Sequence, residues 1–152
     1  MKKIIALLMT ITLAGIGMQE STARETTSTE KTDTRLDQLY GSHQEFRIFF
    51  ENFQQAISKN DKATVANMIL YPITINTSKG VKTINDSAEF ISCYDLAITN
   101  DIKKKVLNQR YDSLFARDIG IMIGEHGEIW FNGICKDKKC VTKDIKIITI
   151  NN

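Results

Sequence analysis

The sequence predicts an α+β domain, with N-terminal helices packed on a curved, cone-like antiparallel β-sheet that follows a cleaved signal peptide. Three observations carry this. Residues 120–150, GIMIGEHGEIWFNGICKDKKCVTKDIKIITI, form three apolar, β-rich runs separated by two tight turns, as in an antiparallel meander. Phe46, Phe49, Phe50, Phe53 and Ile57 recur at helical spacing and form one apolar face. Lys2 and Lys3 precede an apolar run over 4–16 that is too short to span a bilayer, which is the pattern of an export signal.

The signal is read as residues 1–23, with cleavage near Ala23, after the small residues of Ser21-Thr22-Ala23. The polar run from Gln19 onward argues against a retained anchor, and no later stretch is apolar for long enough to cross a membrane. Loss of Lys2, Lys3 and Glu20 leaves 18 basic and 17 acidic residues, a net charge of +1. That balance offers no footprint for nucleic acid. Residues 24–41 are rich in Thr, Ser and mixed charges, with almost nothing to bury, and read as a disordered leader. The single domain is then 42–152, long enough for one core.

Ser42 and Glu45 form a capping box for the Phe-rich helix. Lys59-Asn60-Asp61 ends that helix and caps a shorter one whose inward positions are Val65, Met68 and Ile69. Tyr71 precedes the only proline, Pro72, and Ile73 and Ile75 alternate with Thr74 and Asn76. Pro72 lacks a ladder donor, so this strand is placed at a sheet edge. A turn at Ser78-Lys79-Gly80 pairs it with 81–84. Asp86 and Glu89 cap a helix whose inward face is Phe90, Ile91, Tyr94, Ala97 and Ile98, and a further helix from Thr99 or Asn100 carries Ile102 and Val106. Lys103, Lys104 and Lys105 read as its solvated face.

Leu114-Phe115-Ala116 and 121–123 are short strands, and Gly124-Glu125-His126-Gly127 is a hairpin turn. Along the next strand Ile129 and Phe131 share one face, and Trp130 and Ile134 the other. One face meets the helices; the other is either covered or a binding surface. In the last strand Ile145, Ile147 and Thr149 alternate with Lys146, Ile148 and Ile150.

Cys135 and Cys140 flank four residues, a spacing that allows a disulfide in an exported hairpin. Closing so small a ring contributes about 2 kcal/mol through chain entropy. No His or second Cys pair stands where a metal would need it, so no metal site and no cofactor is expected. Cys93 reads as a buried free thiol. A nucleophilic role would need a His partner, and His43 and His126 fall in a cap and a turn.

The stretches FRIFFENFQQAISKNDKATVANMI and YPITIN, the helix around Phe90 and Tyr94, and GIMIGEHGEIWFNGI resemble the nuclear-transport-factor-2-like (cystatin-like, cone-shaped) superfamily. The likeness covers roughly residues 46–150 and extends to small secreted bacterial proteins of that type. It implies a conical pocket between bent sheet and helices. Some members are isomerases, dehydratases or hydrolases, and others bind ligands or proteins. The enzymes place an Asp or His and a Tyr deep in the cone. Asp95, on the polar side of its helix, and His126, on a turn, depart from that pattern.

Two functions follow as expectations. The first is an exported, periplasmic or secreted, non-catalytic binding domain, an inhibitor or immunity-type partner of another envelope protein or a homodimer through its sheet face, with Trp130 as anchor. The second is a cone for a small apolar ligand, acting as carrier or weak enzyme, with Tyr71, Tyr94, Tyr111 and Trp130 lining it and Asp95 or Asp118 as base.

Overall fold

A computed structural model describes residues 17–77 and 80–152, with side chains from Thr27 onward. The apolar run over 4–16 and the turn residues Ser78 and Lys79 lie outside the described residues.

The expected leader is a helix. Helix α1 spans Gly17–Tyr40, and Ser28, Thr32, Leu36 and Tyr40, four residues apart, form its inward seam. Leu36 is fully buried and Thr32 nearly so. Composition pointed to disorder because most of what holds this helix is polar. Thr32 Oγ1 donates to the Asp112 carbonyl (3.1 Å), and Arg35 Nε donates to that of Ala116 (2.7 Å). Tyr111 donates to Asp33 (2.6 Å), and Tyr40 to the Arg117 carbonyl. The packed unit therefore begins before Ser42.

Helix α2, Gln44–Ser58, buries Phe46, Phe50, Phe53, Ala56 and Ile57 as its spacing predicts. Its cap differs from expectation: His43 holds the N-cap position and makes no side-chain cap bond. Gly41, at φ +84, reverses the chain and brings Asp37 to this point, where its carboxylate accepts from the His43 backbone N–H (2.7 Å). Asn60, at φ +51, turns the chain into α3, Lys62–Asn67, whose first turn is capped by Asp61 accepting from Thr64 N–H (3.0 Å).

Among the described residues six strands form one sheet in the order β2-β1-β6-β5-β4-β3. Strand β1 (Ile73–Thr77) pairs antiparallel with β2 (Gly80–Ile84), as expected. It is an interior strand rather than an edge. The nine-residue β6 (Lys143–Asn151) continues to Ile150 and Asn151, which take up Ile75 and Asn76 in parallel. Pro72 stands just outside the ladder, so its missing donor costs no bond. The expected third helix is two, α4 (Ser87–Ser92) and α5 (Tyr94–Ala97), broken at Cys93. Phe90, Tyr94, Ala97 and Ile98 are buried, whereas Ile91 is exposed. Helix α6, Asn100–Asn108, is capped by Thr99 and buries Ile102 and Val106.

A short 3-10 turn (Tyr111–Ser113) leads into β3 (Phe115–Arg117), β4 (Gly120–Ile123) and β5 (Ile129–Cys135); β4, β5 and β6 form the expected three-stranded meander, and β3 adds a fourth antiparallel strand to it. One register departs from strict alternation. Trp130 pairs with Thr149 but Phe131 with Ile147, leaving Ile148 as the extra residue of a bulge. The bulge turns both Ile147 and Ile150 inward, where a regular strand would set them on opposite faces. Cys135 and Cys140 form the expected disulfide, with Cα atoms 4.7 Å apart. Asp137 shapes that turn by accepting from Thr142 N–H (2.9 Å) and Lys139 N–H (2.9 Å), bonds that hold its carboxyl down to about 2.

The core lies between the helices and the inner sheet face. Phe46, Phe50, Phe53, Phe90, Tyr94 and Phe131 fill it together with Ile73, Ile75, Ile121, Ile129 and Ile147.

Candidate interaction surface

The pleat of the meander divides its side chains. Ala116, Ile121, Ile123, Ile129, Phe131 and Ile147 point into the core and are buried. Their neighbours point out, and the register aligns Phe115, Met122, Trp130 and Thr149 in one row across β3, β4, β5 and β6. The Phe115 ring meets the indole edge to face, centroids 6.3 Å apart. Phe115 is 47% exposed, and Ile119, in the β3–β4 turn, 54%.

Two glycines make room for the indole. A Cβ on Gly127 would stand 2.9 Å from Trp130 Nε1, and one on Gly120 would stand 3.5 Å from its Cε3 and 3.0 Å from the Phe131 carbonyl. Both have positive φ, so the same residues permit the backbone turn and the flat seating of the ring.

The other residues singled out by the sequence do not gather around Trp130. Tyr94 is fully buried, edge-on to Phe90, with Lys62 and Lys103 ammonium groups 4.9 and 5.4 Å from its ring centre. Its hydroxyl has no hydrogen-bond partner among the described residues, and burial, then Asp95 and Asp61, pushes it up to about 12. Tyr71 is half-buried and donates to the Ala66 carbonyl (2.9 Å). Tyr111 packs by Phe50 and beneath the Arg47 guanidinium, and burial followed by its bond to Asp33 raises its phenol. Asp95 is exposed and ion-paired with Lys62 (3.0 Å). These four hold helices and turns in place and do not converge on one cavity.

The remaining reactive groups are similarly placed. Asp118 is exposed beside Arg117, and His126 is exposed in the β4–β5 turn. Cys93 is partly exposed rather than buried; its Sγ accepts from Lys82 Nζ (2.8 Å), a bond that lowers the thiol from its ordinary range. Among the described residues no group of three His, Cys, Asp or Glu side chains could hold a metal ion. No described helix is long and apolar enough to cross a membrane.

Two open grooves lie elsewhere. One, of about 400 Å³, runs between α2, α3 and β6 over half-buried Phe49, Met68 and Ile145, with Asn52, Gln55 and Lys59 on its rim. The other, of about 610 Å³, lies between the end of α6 and the β4–β5 turn, lined by Lys104, Asn108, Arg110, Glu125 and His126. Neither contains Tyr71, Tyr94, Tyr111, Trp130 or Asp95. Of the outer patch, sequence reading identified Trp130 but not Phe115 or Met122. The signal was there: an inward Ala116 forces Phe115 outward, but the pairing that sets it beside Trp130 comes from strand register.

Comparison with family models, curated proteins and solved structures found no match to this chain.

Proposed function

We propose that this chain is an exported, non-catalytic interaction domain that binds a protein through the outer face of its sheet, with Trp130 as the anchor. The observation that carries the reading is the row Phe115, Met122, Trp130, aromatic and in register, on the side of the sheet away from the helices. Partly exposed aromatic side chains held rigidly on strands supply large contact area at little entropic cost, the property of anchor residues in protein interfaces. The filled core favours this reading over a ligand cone, because of the tyrosines expected to line a cone Tyr94 is buried in the core, Tyr71 is bonded to the Ala66 carbonyl and Tyr111 to the Asp33 carboxylate. Export is supported by the basic and apolar N-terminus of the sequence and by the Cys135–Cys140 disulfide.

The test is affinity isolation of the wild type and Trp130→Ala from an envelope extract, with circular dichroism confirming that both are folded. A chain, foreign or its own, retained by the wild type and lost by Trp130→Ala is the expected result. Equal retention by both, or recovery of the tagged wild type with no second chain, foreign or untagged copy, would overturn the reading.

A further inference from the structure

We infer that the groove between α2, α3 and β6 binds a short extended segment of another protein, which adds to β6 as a strand beside Ile145. The site is separate from the outer sheet face, since none of Phe115, Met122 and Trp130 lines it.

Strand β6 turns free backbone groups toward this groove. In an antiparallel pair, successive residues send their N–H and C=O alternately toward the partner strand and away from it. Two sets of bonds fix the phase on β6. Ile147 N–H donates to the Met68 carbonyl (2.8 Å), and its carbonyl accepts from Leu70 N–H (2.9 Å), so Ile147 faces away from β5. Just beyond the other end of the pair, Lys136 N–H donates to the Thr142 carbonyl (2.9 Å), so Thr142 faces the β5 side. Asp144 and Lys146 therefore bond toward β5, and Ile145 points the other way. On that side β1 takes up β6 only at Ile150 and Asn151. The Ile145 N–H and C=O have no backbone partner there among the described residues.

The chain itself shows what the lane accepts. Ile69 lies opposite Ile147 in a parallel bridge, so residues 68–70 already run beside β6 as a short strand. Before them the chain is coiled in α3 and leaves the lane. Lys146 Nζ donates to the Asn67 carbonyl (2.7 Å) and ties the end of α3 to β6 at that point. The space left beside Ile145 is the groove of about 400 Å³.

Its lining suits a peptide. A donor and an acceptor on one strand residue call for an acceptor and a donor at strand spacing, which an extended backbone supplies. Phe49, Met68 and the Ile145 side chain give an apolar floor for one side chain of the added strand. Across from β6, Asn52 and Gln55 stand on the exposed side of α2, and their side-chain amides make no hydrogen bond among the described residues. An amide both donates and accepts, so these two can meet the outer edge of the added strand. Lys59 and Asp61 lie on the same rim and give it no single sign, which favours a neutral segment. The described segments of this chain are placed elsewhere in the fold, so the strand comes from another protein.

Panning a displayed library of random heptapeptides on the disulfide-intact protein tests this. Enriched peptides should carry apolar residues at alternate positions, and a synthetic copy should slow exchange of the Ile145 amide hydrogen roughly tenfold or more. Ile145→Pro removes the groove-facing N–H without taking a bond from the β5 ladder, and should weaken that peptide roughly tenfold or more. Asn52→Ala with Gln55→Ala alters only exposed side chains, and should weaken it too, so the groove is tested even where the proline disturbs folding. No enriched sequence, or a bound peptide that leaves Ile145 exchange unchanged, would overturn the inference. Peptides released by Trp130→Ala but retained by the groove variants would overturn it while leaving the outer-face reading standing. Protection of Ile145 that grows with protein concentration alone would overturn the foreign occupant in favour of a second copy.

Discussion

Single side chains in this protein show how burial and hydrogen bonding separate packing from function. Tyr94 has the aromatic ring and acidic neighbour that suggest a ligand wall, yet it is a core residue whose hydroxyl is buried without a partner among the described residues. Burying a hydroxyl unpaired is costly, and removing it returns that cost. Tyr94→Phe should therefore leave stability unchanged or raise it by up to about 1 kcal/mol. Urea unfolding checks this, and a clear loss of stability would show that the hydroxyl is satisfied in solution. Trp130 presents the converse case. Its flanking residues Ile129 and Phe131 are buried, and alternation alone places the indole outward, where the space left by two glycines seats it.

At the level of elements, α1 is the clearest departure from what composition implies. Its seam contains Ser28 and Thr32 as well as Leu36, and it docks on the 3-10 turn and β3 largely through hydrogen bonds to backbone carbonyls. Low hydrophobicity predicts disorder when a segment has only water to bind; here it has an exposed strand edge whose carbonyls need donors. Leu36 is the one fully buried apolar side chain of the described part of that helix, so Leu36→Ala should destabilise the whole fold by about 2–3 kcal/mol. Chemical denaturation measures this; a change near zero would mean that α1 is not part of the cooperative unit. The same edge covering leaves the face as the route of approach to Phe115 and Trp130.

For the molecule as a whole, one buried carboxylate links distant parts of the fold and sets an acid limit. Glu128 precedes β5 and is nearly buried. It accepts from Lys105 of α6 (2.8 Å) and from the His126 backbone N–H (2.8 Å). Burial pushes its carboxyl up, but the Lys105 bond, the backbone donors and the Lys105 charge outweigh this and hold it down to about 2. A carboxyl whose folded-state value is depressed stabilises the fold above its ordinary range, and the contribution is lost as pH falls through that range toward the folded value. The shift corresponds to on the order of 3 kcal/mol. Thermal unfolding should show the wild type more stable than Glu128→Gln near neutral pH, with the gap closing between about pH 4.5 and about pH 2. A gap constant across that window would show that Glu128 contributes by shape alone.

The sequence by itself determined the fold class, the Phe-rich helix, the β1–β2 hairpin, the caps at Asp61 and Asp86, the meander and the disulfide. Each of these is written locally, in periodicity, turn residues or the spacing of two cysteines. Tertiary structure decided the rest. It placed β1 inside the sheet through a parallel pairing with residues 75 positions away, shifted the β6 alternation with a bulge, and ordered α1 on carbonyls contributed by residues 112–117. It also separated Trp130 from the tyrosines and joined it to Phe115. These outcomes depend on which backbone groups lie opposite one another once the chain is packed, and such pairings between distant residues leave no periodic trace in the sequence.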